Sequence, residues 1–155
     1  MLESSPLTAR DIMTHPVVTA RAETPLRVVI QQMMAGGFSG MPVVDDAGLA
    51  IGMITEGDFM RWTEEVGPRA RWWLDMLADG HELAETFLQE IKDQHARVRA
   101  VMTPGVIGVS GDTPIRDVAA LLAERHVKRV PVLADGKPIG IITRRDLVRA
   151  MLSTV

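Results

Sequence analysis

The 155-residue chain contains no cysteine, and only 4% of its residues are aromatic. Without cysteine it has no disulfide scaffold, no thiolate metal site and no cysteine nucleophile. It also lacks an apolar run long enough to cross a bilayer, and its first residues lack the basic start and apolar stretch of a signal peptide. We therefore expect a cytoplasmic globular protein that does not enter a membrane.

The chain also lacks the motifs of common catalytic sites. Its four histidines, His15, His81, His95 and His126, show none of the spacings typical of metal ligands. It has no nucleophile elbow, no Walker phosphate loop and no glycine-rich dinucleotide loop after a predicted strand. These absences predict a protein that is not an enzyme and requires no metal.

The chain has no excess of basic residues, since its net charge is −3, and this argues against general nucleic-acid binding. The charge is unevenly distributed, however, because residues 97–155 carry ten basic and five acidic side chains. A basic region in an acidic chain either provides a local site for an anion or forms a solvated face.

Several blocks of sequence occur twice, in the same order. Three of them recur at 89 positions, and a fourth recurs at 88 because one turn is shorter in the second copy. Copies in register, with the length change confined to a turn, indicate an internal repeat. The pairs are Met13-Thr14 with Met102-Thr103, Thr24-Pro25-Leu26-Arg27 with Thr113-Pro114-Ile115-Arg116, Met41-Pro42-Val43-Val44 with Val130-Pro131-Val132-Leu133, and Gly52-Met53-Ile54-Thr55 with Gly140-Ile141-Ile142-Thr143.

Each copy predicts the order β-α-β-β-α. The β-branched residues 17–19 predict a first strand. Thr24 as N-cap and Pro25 in the first turn predict a helix that ends near Gly36, followed by two short strands and a second helix after Thr55. The expected apolar face of the first helix contains Leu26, Val29, Ile30 and Met33, and its counterpart contains Ile115, Val118, Ala119 and Leu122.

The repeats predict two domains, at residues 1–61 and 97–155. A lone domain of about 50–60 residues is marginally stable, so we expect the two to bury their sheets against each other. Residues 62–96 show two apolar bands at helical spacing and predict a helical insertion. Its adjacent Trp72 and Trp73 either pack on the module or anchor a protein partner or the dimer.

Taken together, the repeated blocks resemble the cystathionine-β-synthase (CBS) domain, and the pair resembles a Bateman module. The resemblance implies an α/β (α+β) fold in which two domains, related by pseudo-twofold symmetry, enclose two clefts. It implies that modules stack into a homodimer. It also implies regulatory binding of an adenosine ligand, namely AMP, ADP, ATP, NAD or S-adenosylmethionine, with conformational signalling to a partner.

The Thr-x-x-Asp sequences, Thr55 to Asp58 and Thr143 to Asp146, are the main candidates for the site. Each forms a capping box if no ligand is involved. A carboxylate near a helix start also accepts ribose hydroxyls, and the helix N-terminus faces a phosphate. The resemblance implies that the aspartate holds the ribose and that the threonine lies near the ribose or phosphate.

The resemblance also implies an apolar slot for adenine. Two of the slot residues are prolines, which have no backbone N–H, so we expect both at a strand edge or start. The slot residues that it implies are Val18 and Thr19, Ile107, Met41 and Pro42, and Val130 and Pro131.

The two copies differ in their basic residues. The resemblance implies a phosphate-directed cation three positions before the proline, which is Lys128 in the second copy and Ser39 in the first. Arg129, Arg144 and Arg145 add charge to the second copy, so we expect a phosphate to find most of its partners there. Whether both clefts bind a ligand stays open. The alternative interpretation of these arginines is an exposed helix face.

Two other functions fit the sequence less well. The first is a structural dimerisation module whose nucleotide sites are vestigial, which would explain the unequal copies. The second is a nucleic-acid-binding adaptor, which the net acidity and the absence of aromatics between the basic residues disfavour. The adaptor would use Lys128, Arg129, Arg144, Arg145 and Arg149.

Overall fold

The computed structural model describes residues 5–65 and 96–153. Most of the predicted insertion, including Trp72 and Trp73, lies outside these residues. Within them, no helix combines the length and apolar character needed to span a membrane. The elements are α1 Ala9–Ile12, β1 Ala20–Arg21, α2 Leu26–Gly36, β2 Gly40–Val44, β3 Ala50–Thr55, α3 Glu56–Glu65, α4 Val98–Val101, β4 Thr103–Pro104, β5 Val109–Ser110, α5 Ile115–Glu124, β6 Arg129–Ala134, β7 Lys137–Thr143 and α6 Arg144–Leu152.

The strands form two sheets, one with the order β1-β2-β3-β4 and the other with the order β5-β6-β7. In each repeat the first strand pairs in parallel with the second, and the second pairs antiparallel with the third. Each repeat thus folds as β-α-β-β-α, and the predicted mixed α/β architecture is confirmed.

The opening segment of each repeat packs on the other repeat. Ala9 of α1 belongs to the core that contains Val118 and Leu122 of the second repeat. Conversely, Val98 and Val101 of α4 belong to the first-repeat core. Strand β4 extends the first sheet by pairing with β3. The repeat boundaries at 1–61 and 97–155 therefore do not coincide with the two cores.

Helix α2 follows its predicted apolar face but begins one residue later than expected. Pro25 is the capping residue, and the Thr24 hydroxyl instead accepts a hydrogen bond from the Arg21 N–H at 3.0 Å. The helix ends at Gly37, whose φ of 66° is the left-handed conformation that glycine adopts readily. In α5 the predicted Ala119 is wrong as a core position, because it is exposed.

The predicted strand at residues 17–19 is also wrong, because only Ala20 and Arg21 pair with β2. The reason is Pro42, which lies opposite Thr19 in the parallel register. Extending the ladder backwards would require an N–H that proline lacks. Pro42 is therefore in the middle of an inner strand, not at the edge or start that we expected, and Pro131 has the same place in β6.

Candidate functional site

Both predicted capping boxes are present, at the N-termini of α3 and α6. In the second repeat, Oδ2 of Asp146 accepts hydrogen bonds from the Thr143 N–H at 2.9 Å and from the Thr143 hydroxyl at 3.1 Å. In the first repeat, Asp58 Oδ2 accepts the matching bonds from Thr55 at 2.8 and 3.2 Å. The backbone N–H of each aspartate donates to the threonine hydroxyl at 3.3 Å. The two carboxylates are thus oriented alike.

The second oxygen of Asp58 is also occupied. Asp58 is 2% exposed, and its Oδ1 accepts a hydrogen bond from the Thr103 hydroxyl at 2.6 Å. The same oxygen receives a hydrogen bond and ion pair from the Arg61 guanidinium. A carboxylate offers about four lone-pair positions. The four donor contacts from the protein use this capacity fully.

Asp146 differs from Asp58 at this second oxygen. It is 8% exposed, and no donor among the described residues forms a hydrogen bond with its Oδ1. The residues equivalent to the Asp58 donors are Thr14 and Arg149, and neither bonds to Asp146. Most buried polar atoms in proteins have a partner. A free carboxylate oxygen at a helix N-terminus therefore has the chemistry to accept hydroxyls from a ligand.

Each site combines elements of both repeats, as expected for clefts enclosed by two domains, but the contribution of Thr14 and Thr103 was not predicted. Thr103 of the second repeat pairs with Met53 of the first and reaches Asp58. Thr14 of the first repeat pairs in the equivalent register with Ile141 of the second. Helices α1 and α4, each of which packs on the opposite repeat, place these threonines. No local sequence pattern predicts that packing.

A cleft of about 240 Å³ opens beside Asp58, between α3 and the α4–β4 segment. Its wall includes the side chains of the Asp58 bonding network and the half-buried Trp62. The lining residues are Asp58, Arg61, Trp62, Ala100, Val101, Met102, Thr103 and Pro104.

The predicted adenine-slot residues fall into two groups. Met41 and Val130 are buried in the two cores, and Pro42 and Pro131 are buried beside them. Val18 and Ile107, at equivalent places in the two repeats, are instead 42% and 40% exposed. Thr19 is half-buried.

The Val18 and Ile107 segments also have free backbone groups. The parallel pairing with β2 and β6 begins only after these residues, because the prolines of β2 and β6 lack the N–H that an earlier hydrogen bond would need. No hydrogen bond from a described residue engages the Val18 or Ile107 carbonyl. A site that binds a flat heterocycle requires both features, exposed apolar side chains and unpaired backbone groups beside them.

Lys128 and Arg129 are directed toward the first repeat. The Lys128 ammonium lies 4.0 Å from the carboxylate of Glu56. Arg129 donates to the Ser39 hydroxyl at 2.7 Å. Burial lowers the pKa of Arg129, and the negative charges of Glu56 and Asp58 oppose that shift. These two cations therefore have protein partners between the repeats.

Arg144 and Arg145 begin α6, directly beside Asp146. Both side chains are exposed, and neither forms an ion pair with a described residue. The same holds for Arg149. Of the cations predicted to contact a phosphate, Arg144 and Arg145 are thus the two that form no ion pair or side-chain hydrogen bond with a described residue.

The comparisons identify relatives along nearly the whole chain. The CBS domain family matches residues 9–65 and 98–153. The uncharacterized protein MJ1426 of Methanocaldococcus jannaschii is 33% identical over 152 residues, which cover 92% of this chain and 90% of that protein. The chloroplastic CBS domain-containing protein CBSX2 of Arabidopsis thaliana is 30% identical over 94% of this chain and 63% of its own length. A crystal structure of CBSX2 in complex with AMP has a TM-score of 0.70 and 28% identity, and the match covers 96% of this chain and 98% of that chain.

Proposed function

The chain belongs to the CBS domain family and carries two copies of the domain, and from this membership we propose that it is a regulatory module that binds an adenosine nucleotide. The observation that carries the proposal is the buried Asp146, whose Oδ1 has no hydrogen-bond donor among the described residues. The complex of its relative CBSX2 with AMP supports this class of ligand.

The ligand contacts follow from the chemistry of the Asp146 site. The free carboxylate oxygen accepts the two hydroxyls of a ribose, and Thr143 orients the carboxylate through the capping box. A phosphate lies at the N-terminus of α6, where the helix dipole and the exposed Arg144 and Arg145 favour negative charge. Adenine lies against the exposed Val18 segment of the first repeat.

Regulation follows from the exchanged architecture. Because each cleft is built from both repeats, a ligand that spans it favours one arrangement of the repeats over another. The protein then signals to a partner through that shift and performs no chemistry on the nucleotide. AMP, ADP, ATP, NAD and S-adenosylmethionine all contain the ribose and adenine that these contacts recognise.

We also propose that two modules stack into a homodimer. The last turns of α6 expose three large apolar side chains at positions i, i+3 and i+4, namely Val148, Met151 and Leu152. A monomer would leave this face in water. Sedimentation at micromolar concentration should give a species of twice 17.0 kDa, and a monomer would contradict the proposal.

A thermal-shift panel of adenosine, AMP, ADP, ATP, NAD and S-adenosylmethionine tests the nucleotide proposal. A ligand at 100 times its Kd should add about 2.7 kcal/mol to the apparent stability. Guanosine monophosphate is the matched control, since it keeps the ribose and phosphate and changes only the base. If no adenosine compound shifts the melting temperature, the structural dimerisation module becomes the better account.

A further inference from the structure

The two Thr-x-x-Asp sites contain the same residue types but different bonds. Each site contains an aspartate and an arginine three positions later, both from one repeat, and a threonine from the other repeat. In the first site these are Asp58, Arg61 and Thr103, and all three are joined at Asp58 Oδ1. In the second site the equivalent Asp146 Oδ1 is free of donors among the described residues.

From this difference we propose that Arg61 and Thr103 form a latch that closes Asp58 to ribose, so that each chain binds one nucleotide, at Asp146. The inference rests on the proposed nucleotide-binding function and deepens it by assigning unequal occupancy to the two clefts. It adds Arg61 and Thr103 as residues that determine which cleft is used.

The hydrogen bonds to Asp58 explain why the latch excludes a ribose. Two donors occupy Oδ2 through the capping box, and Thr103 and Arg61 occupy Oδ1. A ribose must therefore displace the short Thr103 bond or the Arg61 ion pair before it binds. Each bond to a charged group that must be broken weakens binding by about 10- to 100-fold.

The latch also has a structural anchor. Thr103 is held in β4 by its register with Met53 of β3. Arg61 is one helical turn beyond Asp58 on α3, and its guanidinium is also 3.4 Å from the Thr103 hydroxyl. The two donors therefore approach the carboxylate from separate elements. Removing either one leaves the other bond in place.

Isothermal titration of the full chain with AMP tests the latch through its stoichiometry. Wild type should bind one AMP per chain. The double variant Thr103→Val with Arg61→Gln should gain a second AMP site. Each single variant keeps one of the two bonds, so its second site should be about 10- to 100-fold weaker than that of the double variant. Asp58→Asn, added to the double variant, should return the stoichiometry to one.

The repeat supplies the matched control. Arg149→Gln makes at the second site the same change that Arg61→Gln makes at the first. The Arg149 side chain does not bond to the aspartate, so this variant should keep one site. Two sites in wild type, or one site in every latch variant that remains folded by circular dichroism, would overturn the latch alone. If wild type binds no AMP, the proposed function fails as well. The single variants decide the question if the double variant does not fold.

Discussion

The Arg129 side chain of the second repeat occupies the space that a side chain at Gly40 of the first repeat would need. A Cβ built at Gly40 would lie 2.8 Å from both Cδ and Nη1 of Arg129. The two residues are equivalent positions in the repeat, 89 apart, and the bond from Arg129 to Ser39 holds the guanidinium in this place. The glycine in one copy thus permits the arginine in the other.

Gly40→Ala should therefore destabilise the protein by about 1–3 kcal/mol, the usual range for overpacking a buried site. The cost arises because Arg129 must leave Ser39. In an Arg129→Ala background the same substitution should cost less than about 1 kcal/mol, since the space is then empty. Urea unfolding of the four proteins measures the coupling, and equal costs in both backgrounds would contradict it.

Gly52→Ala should be more damaging than the equivalent Gly140→Ala. A Cβ at Gly52 would lie 2.5 Å from the carbonyl oxygen of Thr103, which is backbone and moves only with β4. A Cβ at Gly140 meets mainly the flexible side chain of Met13. We expect a loss of about 2–3 kcal/mol for the first change and about 1 kcal/mol for the second. Urea midpoints compare them, and equal losses would show that the two strand contacts are interchangeable.

Stability should depend on pH through Asp11, which caps α1. Hydrogen bonds from the Thr8 backbone N–H and hydroxyl hold the pKa of Asp11 below its usual value. Because the pKa is lower in the folded state, Asp11 stabilises the fold above about pH 4 and loses this effect as the pH falls through the folded-state pKa. Asp11→Asn should thus be less stable than wild type at pH 7, and the difference should shrink as the pH falls through the folded-state pKa. A difference in urea midpoint that stays constant as the pH falls would show that the charge is not the cause.

The phosphate should be recognised by the exposed arginines of α6. AMP should bind at least tenfold more tightly than adenosine, since a charge-assisted contact contributes about 1.5–3 kcal/mol. Changing Arg144 and Arg145 to Gln should remove most of this difference and leave adenosine affinity nearly unchanged. Arg116→Gln, on the exposed side of α5, is the control. Equal binding of adenosine and AMP by wild type at low salt would remove the phosphate role.

The sequence was sufficient for the features that depend on local chemistry. The repeat, the capping boxes and the glycine end of α2 follow from residue type and spacing, as does the tight Asp135-Gly136 turn, where both φ angles are positive. The prediction that the two prolines lie at a strand edge or start was wrong, because the sequence alone does not show which neighbouring strand the missing N–H of a proline would face.

The unequal bonding of the two aspartates was less predictable, because the aspartate, the arginine three positions later and the threonine from the other repeat occur in both sites. Thr14 and Thr103 both follow a methionine at equivalent places in the repeats, yet only Thr103 bonds to the opposite aspartate. The difference depends on how α1 and α4 pack on the other repeat, and those contacts join residues far apart in sequence. The sequence shows that the copies are unequal in charge, but it does not show that Lys128 and Arg129 are directed at the first repeat.

The central claim is that Asp146 holds the ribose of a bound adenosine nucleotide, and calorimetric titration with AMP of wild type, Asp146→Asn and Asp58→Asn tests it most directly. Asparagine keeps one oxygen for the capping box, so both variants should fold. Asp146→Asn should weaken binding by about 10- to 100-fold, the effect of losing bonds to a charged acceptor, and Asp58→Asn should leave it nearly unchanged. Equal losses in the two variants, or a larger loss for Asp58→Asn, would contradict the account.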